Sequence, residues 1–193
     1  MLSDFAEQLS AFIAGTEYYL YPWLLTLGIL WLINILNWIT GSKLNVLGTY
    51  PRHVMGLVGI VCSPLLHQNF NHLFFNSIPL FVLGLAILAR GLPIFYVVTL
   101  VVTLGSGLGV WLFGSRGRHI GASGVVSGYF GYILATAYLN PSFTTLLLGL
   151  LVVYYFGSIF LGIFPQEEKV SWESHLFGFL SGMSSAYLLY LKG

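Results

Sequence analysis

Charge is what this chain has least of. Of its 193 residues only 7% are Asp, Glu, Lys or Arg, where soluble domains carry roughly 25%. A formal net charge of +1 leaves nothing to hold a phosphate backbone, so nucleic-acid binding is excluded. One cysteine, Cys62, cannot build a disulfide framework. One aspartate, Asp4, stands near the N-terminus, far in sequence from any polar cluster it might serve. What is abundant is apolar: 57% hydrophobic residues, 17% of the chain aromatic. That excludes disorder and predicts one membrane domain over residues 1–193.

Because charges are so few, the gaps between them read as spans. The uncharged gaps are 25 residues from Glu17 to Lys43, 37 from Arg52 to Arg90, 25 from Arg90 to Arg116 and 48 from Arg118 to Glu167. A membrane helix needs roughly 20 apolar residues. The longest gap therefore holds two helices, divided at Asn140-Pro141, where proline cannot continue the first. In the 37-residue gap, His53 to Phe70 contains Pro64, two histidines and only short apolar pieces. It reads as an irregular loop, tolerated at membrane depth only when buried against protein. Six helices follow, at about 18–41, 72–90, 92–114, 121–139, 142–164 and 174–191, giving an all-α polytopic bundle. Residues 1–17 place Leu2, Phe5, Leu9, Phe12 and Ile13 on one face, as an interfacial helix would. With Asp4, Glu7 and no basic residue before Lys43, this segment does not read as a signal peptide.

Successive spans alternate direction, so the second, fourth and sixth start from the same face. His72 and Asn76 open the second, with His67 just before it. Ser123 opens the fourth within Gly121-Ala122-Ser123-Gly124, and His175 opens the sixth. Counting spans thus puts His72, Asn76, Ser123 and His175 at one depth, where intramembrane polar groups point to function. A serine needs a base to become a nucleophile, and His175 is the candidate. His72 and Asn76, at i and i+4, face one way and can point at one oxygen. The Ser123 amide, in a first helical turn, has no helical partner, and Gly121 and Gly124 allow close backbone approach. Glu173, two residues from His175, points to another side of its helix. The only serine mechanism this composition permits is a Ser–His dyad. Each piece also has a plainer reading. Gly124-x-x-x-Gly128 and Gly178-x-x-x-Gly182 are helix-packing patterns, a histidine near a helix end is often interfacial, and Asn76 could be a hydrogen bond between helices.

The three motifs together resemble the rhomboid intramembrane serine proteases across nearly the whole chain. His72-Leu-Phe-Phe-Asn76, preceded by His67, is similar to the family's His-x-x-x-Asn with its accompanying histidine. Gly121-Ala-Ser123-Gly124 is similar to its Gly-x-Ser-Gly, and His175, Gly178 and Gly182 to its His-x-x-Gly-x-x-x-Gly. The resemblance implies a rhomboid-like bundle with Ser123 as nucleophile and His175 as general base. His72, Asn76, Gly121 and Ala122 would form the oxyanion and substrate-binding side. Gly124, Gly178 and Gly182 would be helix-packing residues, and residues 165–173 a cap over the site. Three positions depart from the pattern. Ser127 stands where many members have a tyrosine that stacks on the histidine, so Ser127 or a nearby aromatic would have to orient His175. Val58-Gly59 occupies the place of a Trp-Arg pair, and Ser174 that of an alanine.

The expected activity is hydrolysis of peptide bonds in transmembrane protein substrates, with the lipid bilayer as the other partner and neither cofactor nor metal. The alternative is a non-catalytic rhomboid-like protein that binds transmembrane segments of clients. A haem or metal protein built on His67, His72, His119 and His175 is disfavoured by the absence of a cysteine or acidic ligand beside them. A bacterial plasma membrane suits so compact a chain. Arg90 and Lys192 fall on one side, and Lys43, Arg52, Arg116, Arg118 and Lys169 on the other. By the positive-inside rule the second group is cytoplasmic, the reverse of what the resemblance implies.

Overall fold

The computed structural model describes residues 2–165 and 171–192, and within them the chain is helical, with no strand beyond one isolated bridge between Thr49 and His119. The helices are α1 (Leu2–Ile39), α2 (Gly59–Cys62), α3 (Phe70–Leu88), α4 (Leu92–Phe113), α5 (Ser123–Leu139), α6 (Phe143–Phe156), α7 (Ser158–Leu161) and α8 (Trp172–Tyr190). Short 3₁₀ turns at Lys43–Leu47, Val54–Leu57 and Ser63–Leu65 fill the first loop. Among the described residues three helices are long and apolar enough to cross a membrane by length and composition: Asp4–Ile39, Phe70–Leu88 and Leu92–Phe113. The α3, α4, α5 and α8 limits lie within two residues of those expected, and Pro93 sits in the first turn of α4, where its missing N–H costs little.

Two expected boundaries fall differently. No break separates an interfacial segment at residue 17 from a first span. Instead α1 is one helix of 38 residues, roughly 57 Å long at about 1.5 Å per residue. From Gly15 to Trp31 it packs antiparallel along α3. Gly15 lies against the Ala89 backbone, and the Trp23 ring covers Gly84. Trp23 Nε1 donates to the Phe81 carbonyl at 3.0 Å and Trp31 Nε1 to Ser77 Oγ at 3.0 Å. Part of the expected interfacial face is also spent inside the protein, since Phe5 meets Phe143 edge-on at 4.5 Å and Phe12 packs against the core. The other difference is at 142–164, where Gly157 divides α6 from α7. Gly162 N–H donates to Ile159 O and Phe160 N–H to Gly157 O. These i−3 bonds mark a tightened turn rather than a continued α-helix.

The centre of the bundle is α5, buried all round from Gly124 to Ile133. It is apolar on every face because every face meets another helix. Glycines set the closest approach. A Cβ on Gly178 would run into the Gly124 carbonyl oxygen, and one on Gly182 into that of Gly128. On the other side of α8, Gly109 of α4 lies against the Phe177 ring and Gly105 against Ser181. In α8 this places the backbone three residues past His175 directly on the backbone next to Ser123. Part of the first loop is buried against protein: Gly59 abuts Thr49, and Ile60 of α2 fills the space beside Gly107 of α4, while Val54, Met55 and Val61 are exposed.

Candidate active site

Ser123 is the first residue of α5, and the turn before it is fixed from the first loop. Gly121 has φ +124°, a backbone conformation that L side chains rarely adopt. Its N–H donates to the Ser63 carbonyl at 2.9 Å. The Ala122 N–H donates to His67 Nε2 at 3.2 Å. His67 is in turn fully buried. Its own N–H donates to Asn34 Oδ1 at 2.7 Å, and its carbonyl accepts from Trp38 Nε1 at 3.0 Å. Asn34, also fully buried, donates to the Leu30 and Leu65 carbonyls. A chain of hydrogen bonds therefore runs from the C-terminal turns of α1 through His67 to the residue before the serine.

That geometry assigns the His67 tautomer. Nε2 accepts from an amide, so the neutral ring carries its proton on Nδ1, which is buried with no partner among the described residues. Burial, with a smaller contribution from the positive charge His72 can carry, pushes the His67 pKa from 6.5 down to about 3. The folded chain keeps this ring neutral where the unfolded chain protonates it, so this group's effect on stability is flat above pH 6.5 and falls as pH drops from there toward 3. Detergent-solubilised wild type is expected to unfold at lower denaturant at about pH 5 than at about pH 7. The His67→Gln variant should show a shallower pH slope, and equal slopes would refute this role.

On α3, Asn69 caps the helix by accepting the His72 N–H at 2.9 Å. The His72 ring lies against Gly121: a Cβ there would stand 2.6 Å from Cε1 and 2.7 Å from Nε2, with Asn76 Nδ2 at 3.8 Å. The i, i+4 pair thus meets the serine turn. On α8, His175 is half-buried, and its Nδ1 lies 3.0 Å from the Gly162 carbonyl. A carbonyl only accepts, so Nδ1 donates, and the lone pair of the neutral ring is on Nε2. Ser127, a turn into α5, is 1% exposed, while Ser123 is half-buried. Glu173 is buried, and its Oε1 accepts the Ser115 N–H at 2.9 Å, tying α8 to the loop after α4.

Behind Ser123 lies a cavity of about 20 Å³ lined by Thr49, Ser63, Ser106, His119, Ser171 and Ser174 among others. It is polar and large enough for one water. Ser106 Oγ donates to the Ser174 carbonyl and lies 3.3 Å from Ser174 Oγ. His119 Nε2 donates to the Ser115 carbonyl at 2.9 Å, so its Nδ1 accepts from Ser171 Oγ at 2.6 Å. A larger cavity of about 240 Å³, lined by Gln8, Phe12, Arg90, Ser142, Thr145 and Leu148 among others, is at the opposite ends of α3 and α5. None of the residues around the serine turn lines it.

The residue pattern and the fold have their counterpart in known proteins: the family model described as Rhomboid domain matches residues 53–192. The chain belongs to the rhomboid family. Uncharacterized proteins of Mycobacterium bovis and Mycobacterium tuberculosis are 38% identical to it over 170 residues, covering 83% of this chain and 71% of theirs. One from Mycobacterium leprae is 34% identical over 173 residues, covering 84% of this chain and 68% of its own. Family and apolar helices together make this rhomboid an integral membrane protein.

Several groups around the serine turn escape a reading of the sequence. Asn34 shows only as a polar letter in an apolar span, and Ser106 and Ser174 as two serines among many. Gly162 offers a backbone carbonyl, which no letter encodes, yet it is the group that meets His175, rather than Ser127 or an aromatic. The expected cap falls largely on residues 166–170, outside the described residues. Among the described residues no three His, Cys, Asp or Glu side chains are grouped to hold a metal. His67 Nε2 and both nitrogens of His119 are engaged in hydrogen bonds.

Proposed function

We propose that this rhomboid is an intramembrane serine endopeptidase that cleaves transmembrane protein substrates with a Ser123–His175 dyad. The observation that carries the proposal is the meeting of three helix starts at the serine turn. Ser123 heads α5, the His72 ring and Asn76 amide lie against Gly121, and α8 is pressed on α5 at Gly124 just past His175. Hydrolysis at that point follows from the chemistry of the groups. His175 Nε2 takes the Ser123 hydroxyl proton as Oγ attacks the scissile carbonyl. The resulting oxyanion is received by the Ser123 amide, His72 and Asn76. His175 then protonates the departing amine. A water from the polar cavity behind Ser123 gives up its proton to His175 and attacks the acyl-enzyme, restoring the serine. The proposed setting is six spans, three of them helices shorter or more polar than the long apolar ones, in a bacterial plasma membrane like that of the mycobacterial relatives.

A fluorophosphonate probe applied to the purified protein in detergent tests the proposal directly. Labelling is expected on Ser123 alone, lost in His175→Ala and kept in Ser127→Ala. A wild-type chain that stays unlabelled and leaves a membrane-spanning substrate intact would instead be the non-catalytic binder of client segments.

A further inference from the structure

A dyad leaves open what holds its base. A histidine that abstracts a serine proton needs its other nitrogen fixed, or the ring samples both tautomers and several rotamers. Among the described residues no carboxylate is hydrogen-bonded to His175. Asp4 is in the first turn of α1. Glu173 is two residues from His175, where side chains on a helix do not face each other, and its Oε1 is taken by Ser115. Ser127 is buried at the position where a ring could have stacked.

We infer that the backbone carbonyl of Gly162 is the third member of the catalytic group, a positioning residue that holds His175 in the Nδ1–H tautomer with Nε2 free for Ser123. The hydrogen bond is 3.0 Å long. The close fit explains why the position is glycine: a Cβ there would be 2.6 Å from His175 Nδ1, so any side chain would push the ring off the carbonyl. The carbonyl is itself held by local bonds. Gly162 N–H donates to Ile159 O at 3.1 Å, and Ile163 N–H to Phe160 O at 3.3 Å, so the turn that ends α7 presents it in one direction. A neutral acceptor also suits the setting. A carboxylate buried here would need its own partners, whereas a peptide carbonyl orients the ring and stabilises the imidazolium without adding a charge. The base then depends on the α7 turn, an element of the α6 side of the bundle, and not on its own helix alone.

This inference rests on the protease reading, and its test separates the two. The α-hydroxy acid counterpart of Ile163, introduced in place of Ile163, converts the 162–163 peptide to an ester and weakens the Gly162 carbonyl as an acceptor without changing its shape. It also removes the Ile163 N–H bond to Phe160. The same replacement at Phe164 is the control, because it removes a bond of the same 3.3 Å length, to Leu161, and spares the Gly162 carbonyl. Relative to that control, the 163 ester is expected to lower kcat about ten-fold with little change in KM. The ¹⁵N spectrum of His175 should move from a single Nδ1–H tautomer toward a mixture. Equal kcat and equal spectra in the two esters, with an active wild type, would overturn the role of Gly162 and leave the protease reading standing. A wild type that neither hydrolyses substrate nor reacts with the fluorophosphonate overturns both.

Discussion

Ser123→Ala is expected to reduce cleavage of a membrane-spanning substrate by at least about 10⁴-fold in proteoliposomes, with the protein still folded. The size of the loss follows from the lack of a substitute nucleophile. Ser127, the only other serine in the first two turns of α5, is 1% exposed and packed in the centre of the bundle, so it cannot reach a carbonyl presented at the head of that helix. Ser127→Ala should leave cleavage within a few-fold of wild type. His175→Ala should cost nearly as much as Ser123→Ala, and the double variant no more than either, because nucleophile and base act as one unit. The fold should tolerate Ser123→Ala because the ordering of the turn comes from its neighbours, through Gly121 to Ser63 and Ala122 to His67. Cleavage by Ser123→Ala at more than a few per cent of wild type, with Ser127→Ala impaired instead, would move the nucleophile to the deeper serine.

The parts of this architecture legible in the sequence are those in which a charge or a proline carries a large cost. A charged side chain is expensive in a bilayer, so the uncharged gaps, cut at Pro141 and after the irregular loop from His53 to Phe70, outline α3, α4 and α5. The alternation of spans then brings His72, Ser123 and His175 to one end. The continuity of α1 was hidden because Asp4, Glu7 and Glu17 mark a change of solvent, not a change of backbone, and a helix crosses such a boundary freely when another helix supports it. The division at Gly157 was hidden because glycine is common inside membrane helices and does not by itself announce a turn. The orienting group of His175 was hidden for a different reason. It is a peptide carbonyl, present at every residue, and becomes specific only once α7 folds it against the ring.

The second large effect is expected from a single methyl group. Gly178→Ala should lower the stability of the purified protein by about 2–3 kcal/mol and its cleavage rate by about 10²-fold. The added Cβ would fall on the Gly124 carbonyl oxygen, a backbone atom in the first turn of the central helix that no side-chain rotation can move aside. Relief requires α8 to shift away from α5. His175 is on one of these helices and Ser123 on the other, so the shift that relieves the clash also lengthens the distance a proton must travel. The same chemical change at Gly28 is the control. It too is inside a long apolar helix, but a Cβ there meets nothing within 4 Å, and alanine has the better helix propensity. Gly28→Ala is therefore expected to leave unfolding in a denaturing detergent and substrate cleavage unchanged or slightly improved. If both variants unfold together with wild type, the contact of α8 on α5 is slack enough to absorb a methyl, and the glycine seam does not set the geometry of the dyad. If Gly178→Ala loses activity at full stability, the seam acts through position alone, and Gly182→Ala, one turn deeper against Gly128, should then cost less activity than Gly178→Ala.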